Sequence, residues 1–167
     1  MKAIANQFIN VLMVSVLTIS SLSCQEKKTN SKTTAQKYPE ALSKNEWKTK
    51  LSQNAYYIMV EQGTEPAFDN AYYNNHKKGI YVSAATGKPL FSSEDKFDSG
   101  TGWPSFTKPI NKDAVIWVKD NSYGMTRDEV VEKATGLHLG HVFNDGPEPT
   151  GLRYCINSAA LKFIEEK

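Results

Sequence analysis

The sequence predicts a small, mainly β domain built from antiparallel strands. Short apolar or alternating runs rich in Val, Ile, Tyr and Phe recur from Gly79 onward. Turn clusters separate them at residues 85–89, 120–124 and 144–151. Runs of that length between Gly- and Pro-rich turns pair as hairpins. The one clear helix-start signal lies near residue 45. At 167 residues, 40% hydrophobic and 23% charged, the chain can build one domain with a real core. A formal charge of +2 and the lack of a basic stripe offer no footprint for nucleic acid.

In chain order, residues 1–23 are expected to be a signal peptide. Lys2 supplies a short charged region, and residues 8–19 are mostly apolar. That run is shorter than the roughly 20 residues a bilayer span needs, but suits a secretory signal. Cys24 follows Ser21-Leu22-Ser23, a pattern that resembles the bacterial lipoprotein signal, in which cleavage leaves a lipidated N-terminal cysteine. Ordinary secretion is the alternative. Residues 24–41 are then the lipidated cysteine and a flexible tether. Their Lys, Thr, Ser, Asn and Gln content leaves too little to bury. The expected location is exported: periplasmic, or a membrane-anchored lipoprotein of the bacterial envelope. Membrane contact would come only through that lipid.

Residues 42–167 form the folded domain. Ser43-Lys44-Asn45-Glu46 is a capping-box pattern that starts a short helix, expected to end near Gln53-Asn54, with Trp47 and Leu51 on one face. Residues 55–61 suit either strand or helix, and residues 62–66 break the run. Phe68, Tyr72 and Tyr73 are core candidates, and His76 is a solvated loop histidine. Residues 79–83 and 90–91 form a hairpin. Residues 97–106 hold two glycines, a proline, Trp103 and Phe106, which suits an irregular loop. Such a loop can wall a binding site or plug a core. Residues 114–118 and 125–132 are strands, the second with Arg127 and Glu129 on one face. Residues 159–164 end the domain as a strand or helical turn, with Leu161 and Ile164 buried.

Residues 136–158 organise the rest. They carry His138 and His141 and one of only two cysteines, Cys155. Two strands joined by residues 144–151 are expected. Alternation sets Arg153, Cys155 and Asn157 on one face of the second strand. In the first, it places His141 with Leu139 and Phe143 and sends His138 to the opposite face. A cation near a thiol lowers its pKa and makes the nucleophilic thiolate. A free cysteine can equally be a small core hydrophobe. Arg153, Asn157 and the His-x-x-His tilt the balance towards a reactive thiol.

These residues resemble the methionine-R-sulfoxide reductases of the B type. The resemblance is carried by residues 63–66, 89–91 and 97–106, by His138-Leu139-Gly140-His141-Val142-Phe143, and by Arg153-Tyr154-Cys155-Ile156-Asn157-Ser158. It implies two antiparallel sheets, β-tent or barrel-like, with a few short peripheral helices. It implies that Cys155 attacks the sulfoxide sulfur of an oxidised methionine in a protein, with the free amino acid as a further candidate substrate, becoming a sulfenic acid. His141 would protonate or polarise the sulfoxide oxygen, and Asn157 would hydrogen-bond within the site. Trp103, His138, Phe143 and Arg153 would bind or position substrate.

The sequence departs from the family pattern in two places. Many members bind a structural zinc through two Cys-x-x-Cys pairs; the corresponding positions here are Ser83, Thr86, Glu132 and Thr135, so no metal is expected. Many carry a resolving cysteine two residues before the tryptophan; here that residue is Thr101. No bound cofactor is expected, and an external, thioredoxin-like thiol must reduce the sulfenic acid. The chain is expected to act as a monomer. A Cys24–Cys155 disulfide is not expected, since it would destroy the nucleophile. Two other readings fit the residue types: a hydrolase using Cys155, His141 and Asn157, and a non-catalytic β-tent binding module. Metal binding by His138, His141 and Cys155 would block the thiolate.

Overall fold

The computed structural model describes residues 38–167. The expected signal peptide, Cys24 and most of the tether lie outside the described residues. Described backbone begins ahead of residue 42. The Glu40 N–H donates to the Ala134 carbonyl (2.9 Å), so residues before 42 already dock on the domain.

Two short helices come first. Helix α1 spans Lys44–Lys50 behind the predicted capping box: Ser43 accepts from the Glu46 N–H, and the Glu46 side chain accepts from the Ser43 N–H. It stops earlier than expected because Leu51 turns to extended backbone and Ser52 caps a second helix, α2 (Gln53–Met59). Burial of Ala55, Ile58 and Met59 settles residues 55–61 as helix over most of their length. Trp47, Ile58 and Met59 seat the pair on the core.

Nine strands follow among the described residues: β1 (Gly79–Ser83), β2 (Pro89–Ser92), β3 (Lys96–Phe97), β4 (Ser105–Phe106), β5 (Val115–Asp120), β6 (Arg127–Glu132), β7 (His138–Phe143), β8 (Arg153–Ile156) and β9 (Leu161–Glu165). They form two antiparallel sheets, β2-β1-β9 and β3-β4-β8-β7-β6-β5. The fold is therefore mainly β with two short helices, as the strand and turn pattern predicts. Tyr81 and Phe91 from the small sheet meet Phe106 from the large one. The Phe91 and Phe106 rings stack at 4.5 Å, and Tyr81 meets Phe106 edge-on at 5.1 Å. This aromatic core fixes the spacing of the sheets.

Two core expectations fail. Phe68 is 59% exposed, because its left-handed backbone (φ 62°) turns the chain at a loop tip; only Tyr72 of the predicted trio packs on the core cluster. Ile164 is 57% exposed, since strand alternation in β9 turns Leu161 and Phe163 inward instead.

A polar tie also joins the sheets. Glu132, 1% exposed at the end of β6, accepts from Ser83 Oγ (3.1 Å), Thr86 Oγ1 (2.5 Å) and Thr135 Oγ1 (2.8 Å). Ser83 ends β1, so one carboxyl group fastens the turns at residues 83–88 and 132–137. Glu132→Ala would leave three hydroxyls without an acceptor. We expect a loss of about 3 kcal/mol, read as a lower midpoint in urea; a change under about 0.5 kcal/mol would contradict the tie.

Candidate active site

Strand β8 carries the only cysteine among the described residues. Its neighbours set what surrounds the thiol. Cys155 lies opposite Ser105 of β4 on one side and opposite His141 of β7 on the other. Direct cross-strand partners share a face with Cβ atoms about 5 Å apart. The two residues line a cavity of about 190 Å³ with Thr64, Trp103, Arg127 and Phe143. The loop at residues 97–106 divides its aromatics. Phe106 goes into the core, while half-buried Trp103 stands in the cavity wall. Its indole N–H donates to the Glu65 carbonyl (3.0 Å).

One prediction about the histidines is corrected. Strict alternation separates His138 from His141, but their rings meet edge-to-face at 5.4 Å. The cause is a bulge in β7. Val130 pairs with Gly140, but the next residue of β6, Val131, pairs with His138. The extra residue, Leu139, drops into the core and resets the faces. Gly140 suits this place because an added Cβ would lie 2.0 Å from the Cys155 carbonyl oxygen.

Each imidazole has its own carboxylate. His138 Nδ1 bonds Glu129 Oε1 (2.7 Å), and His141 Nε2 bonds Asp120 Oδ2 (2.8 Å). Asp120 also accepts from the Ser122 N–H (2.8 Å) and from Arg127 Nη2 (2.7 Å). The Ser122 contacts, followed by those of His141 and Arg127, hold the Asp120 carboxyl far below the usual range. It therefore stays ionised and accepts a hydrogen bond from the His141 Nε2–H. Burial pushes the His141 pKa down, with the Asp120 bond opposing and the Arg127 and His138 charges assisting. His141 is thus neutral near pH 7, with Nδ1 left as an acceptor. His138 is 4% exposed and lines an adjoining recess rather than the thiol cavity.

Arg153 stays on the Cys155 side and Asn157 reaches the cavity, as alternation suggests, but both side chains are committed to other partners. Arg153 stands beside the cavity lining. It makes a two-bond fork to Asp145 (2.9 Å each) and lies 4.4 Å over the Phe143 ring. Asn157 touches the cavity, but both ends of its amide are engaged: Oδ1 accepts from the Glu65 N–H (3.2 Å), and Nδ2 donates to the Leu139 carbonyl (3.0 Å). The geometry makes it a clasp on the bulge.

The expected low thiol pKa is also corrected. Burial pushes the Cys155 thiol up, and the Arg153 charge with hydrogen bonds from Thr101 and Arg153 only partly offsets it. Desolvation of a thiolate outweighs one cation already shared with Asp145. Several residues of this site were missed in the sequence: Thr64, Glu65, Asp120, Arg127 and Asp145. Only the Glu65 motif and the Arg127–Glu129 alternation left a signal.

A family model described as the SelR domain matches residues 51–165. A peptide methionine sulfoxide reductase MsrB from Leptospira interrogans is 55% identical over 124 residues, spanning 74% of this chain and 95% of that protein. The chain belongs to the MsrB family. A peptide methionine sulfoxide reductase MsrA/MsrB from Vibrio cholerae is 53% identical over 120 residues, which cover 72% of this chain and 32% of that longer protein. For this MsrB chain the balance at sulfur is testable. Alkylation of Cys155 by iodoacetamide should rise with pH through a midpoint above the usual thiol value near 8.5. Arg153→Met should move that midpoint higher, because the lost cation favoured the thiolate. A midpoint near 7, or a downward shift in the variant, would refute this balance.

Proposed function

We propose that this MsrB chain reduces methionine R-sulfoxide in oxidised proteins, and so repairs them, with Cys155 as its nucleophile. The pairing of Cys155 with His141 across β8 and β7, in a cavity walled by Trp103 and Phe143, carries this reading. Family membership supports the activity, and this geometry supports the residue roles. The cavity suits a methyl sulfoxide head: the aromatic wall accepts the methyl group, and the polar side faces the oxygen.

Neutral His141, with Nδ1 free to accept, takes the thiol proton as sulfoxide enters. The thiolate sulfur attacks the sulfoxide sulfur. The S–O bond then breaks, with the oxygen carried to Cys155, and the proton held by His141 goes with it. Methionine leaves and Cys155 becomes a sulfenic acid. Asp120 steadies the transient imidazolium, and Arg153 the transient thiolate. Burial then has a use: the thiol stays protonated and poorly reactive until a substrate fills the cavity.

The sulfenic acid is reduced from outside. Thr101 occupies the place where a resolving cysteine is usual, and its hydroxyl, bonded to Ser99 Oγ (2.8 Å), cannot form a disulfide. A first external thiol displaces water to form a mixed disulfide, and a second releases Cys155. A dithiol of the thioredoxin kind supplies both. The chain works without the family's structural zinc. Three hydroxyls and one carboxyl group at Ser83, Thr86, Glu132 and Thr135 lack the thiolates such a site needs, and they already satisfy one another. The N-terminal segment directs export, with lipid attachment at Cys24 holding the enzyme at the bacterial envelope.

Two variants test the chemistry. Cys155→Ser should abolish reduction of methionine R-sulfoxide with dithiothreitol as donor while leaving the fold intact; retained turnover would reject the nucleophile assignment. His141→Ala should slow single-turnover reduction by about 10² to 10⁴. A change under threefold would remove His141 from the proton path.

A further inference from the structure

Glu65 is a buried carboxyl group that the chemistry above does not use. It belongs to the Gly63-Thr64-Glu65-Pro66 motif, lies just after α2 and is 6% exposed. A charged side chain is rarely buried so fully without committed partners. Here the partners are backbone donors. Its carboxylate accepts from the Ser158 N–H and from the Ala159 N–H (3.0 Å), at the short turn that follows β8. Burial pushes the carboxyl pKa up, and these two N–H groups pull it back.

The backbone of the same residue reaches the cavity twice. Its carbonyl accepts from the Trp103 indole (3.0 Å), and its N–H donates to Asn157 Oδ1 (3.2 Å). Asn157 in turn holds Leu139, the bulged residue between the two histidines. Trp103 has a second brace, since the Gly102 carbonyl accepts from Phe68 N–H (2.9 Å) and from Asn70 Nδ2 (2.7 Å). That brace fixes the backbone of the loop, whereas the Glu65 carbonyl fixes the indole itself.

We propose that Glu65 is a positioning residue for substrate binding: its carboxylate, anchored on the Ser158 and Ala159 amides, fixes the peptide unit that orients the Trp103 indole against the sulfoxide methyl group. This rests on Trp103 being the wall of the substrate cavity. The hydrogen bonds of Glu65 go to Asn157, Trp103, Ser158 and Ala159 and not to Cys155 or His141, so its loss should act on binding more than on the chemical step. Gln has nearly the same shape, but its NH₂ would face a backbone N–H at one of the two anchors, which loosens the segment.

The test combines a spectrum with kinetics on the intact chain labelled with 5-fluorotryptophan, whose three tryptophans give three fluorine resonances. In Glu65→Gln the Trp103 resonance, assigned with Trp103→Phe, should shift and broaden while that of core Trp47 stays in place. KM for N-acetyl-methionine R-sulfoxide should rise about tenfold with kcat changed less than about threefold, and the pH profile of Cys155 alkylation should not move. An unmoved Trp103 resonance overturns the proposal, as does a fall in kcat with KM unchanged. If the resonance moves and KM does not, Trp103→Ala locates the fault: a raised KM there refutes the Glu65 link, and an unchanged one refutes the wall. Should Glu65→Gln fail to fold, Glu65→Asp is read the same way. In the wild type, indole N–H exchange at Trp103 as fast as in free indole would also overturn it.

Discussion

The site depends on one irregularity in an otherwise regular sheet, the bulge at Leu139. Without it, β7 would alternate strictly, and one of His138 and His141 would point into the core. With it, Leu139 and Val142 both pack inward and the two imidazoles share one face, His141 opposite Cys155 and His138 in the recess beside it. Bulges interrupt ladder bonds, so something must hold this one. The Asn157 N–H (2.9 Å) and its Nδ2 (3.0 Å) both donate to the Leu139 carbonyl. Gly140 lets β7 approach β8 at that point. The motif residues thus act on backbone shape first, and the imidazoles gain their place from it.

Electrostatics then follow from burial. Around the thiol, desolvation opposes ionisation more strongly than Arg153 favours it. Around His141, desolvation also favours the neutral form, while Asp120 fixes which nitrogen keeps the proton. A neutral pair of thiol and imidazole stores no exposed thiolate that adventitious oxidants could consume. In the proposed mechanism, proton transfer between two such groups creates an ion pair only when a polar substrate is present to use it. Asp120 beside the imidazole and Arg153 beside the thiol are the charges that favour such a pair.

Much of this was legible in the sequence. The hairpins, the capping box and the Cys155–His141 neighbourhood follow from alternation and turn chemistry, because these are local rules. Where tertiary contacts decide, local rules fail. No periodicity announces a bulge, so alternation alone puts His138 on the wrong face. Asp120 reads as a turn residue, since its hydrogen bond to His141 crosses from β5 to β7 over β6. Arg153 reads as a free cation, because Asp145, eight residues earlier across the loop, is invisible to strand alternation. Glu132 looks like a departure from a metal motif, and only the fold reveals that its neighbours' hydroxyls converge on it.

The central claim is that one sulfur, that of Cys155, carries the oxygen and that Cys24, the other cysteine of the chain, does not take it over. Intact and peptide mass spectrometry after a single turnover, with methionine R-sulfoxide and no reductant, measures this directly. The account predicts one equivalent of methionine per enzyme and one trappable sulfenic acid on Cys155. A quantitative Cys24–Cys155 disulfide, or methionine formed with the Cys155 thiol unchanged, would contradict it.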